Sequence, residues 1–451
     1  MIAAQKIPKV LRIAVSGTVL FLFGLSFVSA GTGLGLLPHW QFAPSVLRLC
    51  GAFSIGAAVF VAAVVLISLL FGRVYCAAFC PLGIFQDFIL FLAGSGAKGK
   101  HAADHPVLRY GIAGLTFGLL AGGWTAGFLL LDPYSNAGRI FTAWFSAGGA
   151  IALTVVILLA VWKKRMFCTS VCPVGTLLGL LSKKSVFRLA VSDECVRCGL
   201  CAVNCRAGCI AVSPAGVVID GERCVRCMDC AAVCPKHAIR LAGPAARKSS
   251  SVPSDPSRRR FLIHGAVLAG AAVLGFGLGR AGFFSVLEKF SRFRILPPGA
   301  GDPARFASKC TACQLCVMAC PEKIITFARG GDGPVSLDLS HGACRFDCVR
   351  CSEVCPTGAI VPLTLAVKQK TKIAEARFDP TRCRVFQEGE PCGLCAGACP
   401  VHAVTLRKNG TPKPVNTDLC IGCGACAKVC PVTPVKAMTV HEIEKQIVLN
   451  S

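Results

Sequence analysis

Six runs of four closely spaced cysteines fill the C-terminal part of this 451-residue chain and take up most of its 30 cysteines. Cys195, Cys198, Cys201, Cys205 and Cys224, Cys227, Cys230, Cys234 both follow C-x2-C-x2-C-x3-C. So do Cys310, Cys313, Cys316, Cys320 and Cys420, Cys423, Cys426, Cys430. Cys344, Cys348, Cys351, Cys355 opens with three intervening residues, and Cys383, Cys392, Cys395, Cys399 opens with eight; both keep the C-x2-C-x3-C-P half. Three thiolates on one tight loop can grip three irons of a cubane, while the fourth cysteine holds the neighbouring cluster of a pair. The pattern predicts six [4Fe-4S] clusters arranged in pairs. Zinc ribbons and disulfide frameworks also use paired cysteines, but six repeats, five of them followed by proline, are too regular for either.

A hydrophobic content of 54% and a mean hydropathy of +0.62 exceed those of a soluble protein. Five stretches approach the ~20 apolar residues that cross a bilayer: 10–30, 49–71, 107–131, 143–162 and 261–279, the last rich in Gly and Ala and read as the least hydrophobic. The formal charge of +25 lacks the basic stripe interleaved with aromatics that nucleic acid requires. Each oxidised cubane with its thiolates carries roughly −2, so six would offset about half of that charge.

The positive-inside rule orients the spans. Lys6, Lys9 and Arg12 precede the first; Arg73, Lys98, Lys100 and Arg109 flank the second connection; Lys163, Lys164, Arg165, Lys183 and Lys184 follow the fourth. The other two connections carry only Arg48 and Arg139. The expected organisation is a four-span domain over 1–185 with a cytoplasmic amino terminus, and a cytoplasmic two-cluster module over 186–242. A linker and fifth span follow over 243–285, then a periplasmic four-cluster domain over 286–451. The polar segment 247–257 runs into Ser257-Arg258-Arg259-Arg260-Phe261-Leu262, which reads as a twin-arginine export signal inside the chain. Such export carries folded domains, as clusters inserted in the cytoplasm require. The expected location is the bacterial inner membrane.

Two further cysteine pairs, Cys76 with Cys80 and Cys168 with Cys172, repeat a C-x3-C-P-x-G pattern at the ends of the second and fourth spans. They are candidates for a seventh four-cysteine metal site, a maturation thiol pair or the wall of a quinone pocket; the plain alternative is turn structure set by Pro81 and Pro173. No histidine lies in the apolar centre of the first four spans, and His264 stands near the end of the fifth. A dihaem site, which needs axial histidines on facing helices, is therefore not expected. Asp132, Tyr134 and Arg139 outside, and Asp87 inside, are the polar groups suited to a quinol site.

Residues 1–242 resemble NapH, with four spans, two C-x3-C-P motifs and a two-cluster module. Residues from about 257 resemble NapG and MauM, with a twin-arginine start, Leu296-Pro-Pro-Gly-Ala and four quartets of which the third is widened. The chain thus looks like a NapH–NapG fusion. The resemblance implies a quinol dehydrogenase component that passes electrons from the quinol pool through iron–sulfur clusters to a separate periplasmic reductase, such as nitrate reductase, or to its carrier. In its first module Cys205 is followed by Arg206 where proline is usual, and Cys209 is close enough to substitute as a ligand.

The expected fold is an α-helical membrane domain plus tandem α+β ferredoxin-like modules. The crossed rule assigns Cys195, Cys198, Cys201 and Cys234 to one cluster, and Cys224, Cys227, Cys230 and Cys205 to another. In the C-terminal domain the segments 324–339 and 404–415 read as hairpins that pair the first quartet with the second and the third with the fourth; a nested pairing remains open. No nucleophile or triad is visible. The competing function is a redox-sensing or cofactor-maturation factor, akin to the NosR and RdxA groups.

Overall fold

The computed structural model describes residues 2–28, 37–51, 54–94, 105–122, 126–141, 147–214, 216–243, 258–280, 295–326, 335–340, 342–408 and 410–449. The chain divides into two compact units, one of residues 1–26 and 37–283 and one of residues 27–36 and 284–451.

The first unit begins with α1 (Ile2–Val28), α2 (Phe42–Gly51), α3 (Ile55–Phe71), the short α4 (Val74–Ala78) and α5 (Pro81–Leu92). It continues with α6 (Pro106–Ala121), α7 (Ala126–Leu131), α8 (Pro133–Phe141), α9 (Ala147–Lys163), a π-turn (Phe167–Val171) and α10 (Pro173–Ser182). Two helical segments, Ile7–Phe27 and Phe261–Arg280, are long and apolar enough to cross a membrane; α3, α6 and α9 are apolar but shorter. In the 49–71 stretch the extended Ser54, at φ −122°, stands before α3, while 107–131 holds α6 and α7 with residues 123–125 outside the described residues. Exposed Val10, Ile13 and Phe21 on α1, Val59 and Leu66 on α3, and Leu158 and Trp162 on α9 give these helices apolar outer faces.

A small α+β module follows α10. Strand β1 (Arg188–Val191) pairs antiparallel with β4 (Ile239–Ala242), and β2 (Ile210–Ser213) pairs with β3 (Gly216–Ile219). Between the strands lie α11 (Leu200–Val203) and α12 (Asp229–Val233). The linker 244–257 lies outside the described residues, and α13 (Arg258–Arg280) starts at the arginine run. Its mean hydropathy of 2.0 in the best window matches the 1.9 of α1, so on that scale the fifth span is not the least apolar. It packs along α6 through glycine: a Cβ at Gly114 would stand 2.3 Å from the Leu268 carbonyl oxygen, and one at Gly118 2.1 Å from that of Ala272.

The second unit holds two cores in sequence. One joins Leu296, Phe306, Ile324, Leu337 and Ile360 around the first two of its quartets; the other joins Ala376, Val404, Ala427 and Met438 around the last two. Hairpin β5 (Ile325–Thr326) with β6 (Ser336–Leu337) belongs to the first core, and β8 (Glu375–Phe378) pairs with β9 (Met438–His441) across the second. A further pair, β7 (Thr371–Lys372) with β10 (Ile447–Val448), brings the carboxyl-terminal segment back. There Gln446 donates to the Leu296 and Pro297 carbonyls and accepts from the Gly299 and Gly301 amides.

Candidate metal centres

Each strict C-x2-C-x2-C loop folds the same way. The residues on either side of its middle cysteine take positive φ: Arg197 and Gly199, Arg226 and Met228, Ala312 and Gln314, Gly422 and Gly424. Successive turns of this hand aim backbone N–H groups into a concavity and make an anion-binding nest. The two irregular runs lack it, with Val349 at φ −126° and Gly393 at φ −133°. After the fourth cysteine a second left-handed residue recurs three positions on, at His237, Lys323, Gly358 and His402. Gly208 does the same after Cys205 at φ 60°, so Arg206 replaces the usual proline without changing the turn.

The hollows that these loops enclose are crossed. Cys195, Cys198 and Cys201 share one with Cys234 beside Val191, Leu200 and Ile239. Cys224, Cys227 and Cys230 share the next with Cys205 and also Cys209, whose sulfur is 3.5 Å from that of Cys205. Hydrogen bonding by Cys209 holds the Cys205 thiol down at about 6 and the Cys224 thiol at about 7, against the upward push of burial. In the second unit Cys344, Cys348 and Cys351 meet Cys320, and Cys383, Cys392 and Cys395 meet Cys430. The remaining sets follow: Cys316 lies in the field of Cys310, Cys313 and Cys355, and Cys426 in that of Cys423, Cys420 and Cys399. First pairs with second and third with fourth, rather than nested. The two pairs touch where the Cys344 amide donates to the Cys423 carbonyl at 2.8 Å. The buried Lys368, whose Nζ donates to the Arg345 carbonyl, lies within electrostatic reach of both cysteines.

None of the described cysteines is joined in a disulfide. Among the described residues no three His, Cys, Asp or Glu side chains group tightly enough to hold a single metal ion. Four sulfurs spread around a hollow, with inward N–H groups and apolar walls, suit a larger anionic cluster better than one tetrahedral zinc with ~2.3 Å bonds.

In the first unit the cysteine module is seated on the helices by charge. Asp87 of α5 receives Arg12 of α1 at 2.8 Å, Arg165 at 2.6 Å and Arg206 of the module at 3.1 Å. Burial alone would push the Asp87 carboxyl up, but Arg165, Arg206 and Arg12 outweigh it and hold it well below the ordinary carboxylate range. Arg206 also bridges to Asp229 at 2.8 Å, which Lys9 meets at 2.9 Å. On the other flank Glu222 takes Arg109 at 2.7 Å and the Tyr110 hydroxyl, while its carbonyl accepts from Arg73. Asp87, expected at a quinol site, is therefore closed within arginines. Asp132 is buried as well and accepts from the Ser135 amide and hydroxyl. Sequence reasoning missed Arg73, Glu222 and Asp229, whose partners lie far away along the chain.

A cavity of about 420 Å³ opens where this module meets α1 and α5. Val10, Ile13 and Leu90 form its apolar side, and Lys9, Lys164, Arg206 and Asp229 its polar side. Arg206 and Asp229 on its wall are chain neighbours of Cys205 and Cys230, two of the cysteines that line the second hollow.

Known proteins match the same regions. Models described as a 4Fe-4S binding domain match residues 53–96 with 144–192, and 217–240; a 4Fe-4S dicluster domain matches 309–359 and 390–434. The ferredoxin-type protein NapF of Escherichia coli K12 is 34% identical over 33% of this chain and 86% of its own. The ferredoxin-type protein NapG of the same strain is 33% identical over 39% of this chain and 81% of its own. The ferredoxin-type protein NapH of Haemophilus influenzae is 29% identical over 38% of this chain and 58% of its own. No solved structure matches the chain.

Proposed function

The chain belongs to the ferredoxin-type 4Fe-4S protein family of NapF and NapG, and we propose that within it this protein is a membrane-bound relay from quinol to a periplasmic reductase. The observation that carries the reading is the seating of a cysteine module on apolar helices, with an amphipathic cavity whose wall includes the chain neighbours of two cysteines of one hollow. A quinol presents an apolar ring and tail with two hydroxyls. Val10, Ile13 and Leu90 match the first, and Asp229 with Lys9 and Lys164 the second. Six [4Fe-4S] clusters on the 24 quartet cysteines would supply one-electron steps; the polypeptide's part is to hold them, exclude water and accept one quinol proton at the Asp229 carboxylate on the cavity wall, the other leaving to solvent through the open cavity. The C-terminal clusters then deliver electrons outward to the reductase, for which nitrate reductase is the leading candidate.

Adding a reduced quinol to anaerobic membranes should bleach the cluster absorbance of this protein. Filling the cavity by Ile13→Trp should slow that bleaching by about tenfold, the loss that ~1.4 kcal/mol of binding represents. Dithionite reduction should be unaffected. Equal quinol rates in both proteins would remove the cavity from the pathway.

The export reading rests on Arg258, Arg259 and Arg260 at the head of α13. A reporter that works only outside the cytoplasm, fused after Ser451, should be active and should lose nearly all activity when the three arginines become lysines. Retained activity in the lysine variant would leave the arginines as helix anchors.

A further inference from the structure

We propose that Cys76, Cys80, Cys168 and Cys172 form one further metal–sulfur site of the [4Fe-4S] class, buried in the helical domain and separate from the six quartet sites. The two C-x3-C-P-x-G copies fold alike. Cys76 lies on α4 and Cys168 on the matching π-turn, while Cys80 and Cys172 cap α5 and α10 with Pro81 and Pro173 in the first turn. Each glycine is needed where it stands: a Cβ at Gly83 would sit 2.3 Å from the Cys76 carbonyl oxygen, and one at Gly175 2.6 Å from that of Cys168. The Gly175 amide donates to the Cys172 sulfur at 3.2 Å, while Cys80 caps α5 without a side-chain hydrogen bond. All four thiols are buried, and Cys172 lies in the field of the other three.

Charge makes this more than a turn. Arg73 and Arg165 are 1% and 0% exposed. Arg73 reaches the Cys76 sulfur at 4.0 Å and the Cys168 carbonyl at 2.8 Å, and among the described residues it has no carboxylate partner. Gln86 donates to the Cys168 sulfur at 3.3 Å. Among the described residues Arg12, Arg165 and Arg206 share the Asp87 carboxylate, and Lys9 and Arg206 share that of Asp229. Arg165 and Arg206 also lie in the field of Cys227 in the neighbouring quartet hollow, which leaves Arg73 as the cation that faces the four cysteines alone. A buried guanidinium with only carbonyl and sulfur partners favours an anion beside it. Four neutral thiols supply none, whereas four cysteinates around an oxidised cubane carry roughly −2. The 4Fe-4S model that matches 53–96 and 144–192 contains these four cysteines and none of the quartets.

The full-length protein, purified without oxygen, should hold about 28 iron and about 28 acid-labile sulfide per chain, and the Cys76→Ala, Cys168→Ala variant about 24 of each with one electron-paramagnetic signal lost. A fully loaded protein that stops at about 24 iron overturns the site while leaving the six-cluster reading intact. Should the double variant fail to accumulate, Arg73→Met keeps every thiol. It should lower the midpoint potential of one centre only, because the reduced cluster loses a neighbouring cation. Potentials identical to those of the unmodified protein would overturn the site's charge balance.

Discussion

Replacing Cys195 and Cys234 together by alanine should cost the protein one cluster, about four iron, whereas replacing Cys224 and Cys234 should cost two, about eight. By position in the chain the second pair looks like the milder change, since both residues belong to one run. In the structure Cys234 leaves that run and completes the hollow of Cys195, Cys198 and Cys201, while Cys224 stays with Cys227, Cys230 and Cys205. Removing two ligands of one cluster loses the same object twice; removing one from each loses both. Iron analysis and the count of electron-paramagnetic signals after reduction read the difference. If the first pair costs eight iron and the second four, the hollows are not crossed. The same logic in the second unit makes Cys320 a partner of Cys344, Cys348 and Cys351.

How much of this was legible beforehand depended on the range of the interaction. The quartets and the C-x3-C-P-x-G copies are local patterns whose chemistry is written into their spacing. Pairing in the C-terminal domain stayed open because connections of similar length follow several quartets; Ile324 and Leu337 in one core, and Val404 and Met438 in another, decide it. The arginine after Cys205 suggested a departure, yet Gly208 supplies the left-handed residue that keeps the turn. Asp87 carried no sign of its three arginines, since Arg12, Arg165 and Arg206 are remote in sequence. Ion pairing with Glu222 likewise reaches back to α6 at Arg109. The module behaved in the sequence as a separate domain, and long-range charge pairs are what join it to the helices.

Gly118→Leu should be the most damaging single change in the helical part, and it alters neither a charge nor a cysteine. On α6, Gly114, Gly118 and Gly122 recur at four-residue spacing, and on α13 Gly275 and Gly279 do the same. A Cβ on Gly275 would lie 2.5 Å from the Leu115 carbonyl oxygen, and one on Gly279 2.9 Å from the Gly122 Cα. Backbone packs against backbone, the small-residue mode that holds helices together where lipid removes the hydrophobic drive. A leucine at Gly118 cannot be accommodated by rotating a side chain, because the atoms it meets belong to the Ala272 main chain at 2.1–2.9 Å. The expected cost is at least the ~1–3 kcal/mol of core overpacking. It should be read as earlier thermal unfolding in detergent and faster proteolysis near α13. Gly265 and Gly270 lie on the same helix with nothing within 4 Å of an added Cβ. Leucine there should change stability by no more than about 0.5 kcal/mol. If Gly265→Leu and Gly118→Leu unfold alike, α13 does not depend on its glycine contact with α6.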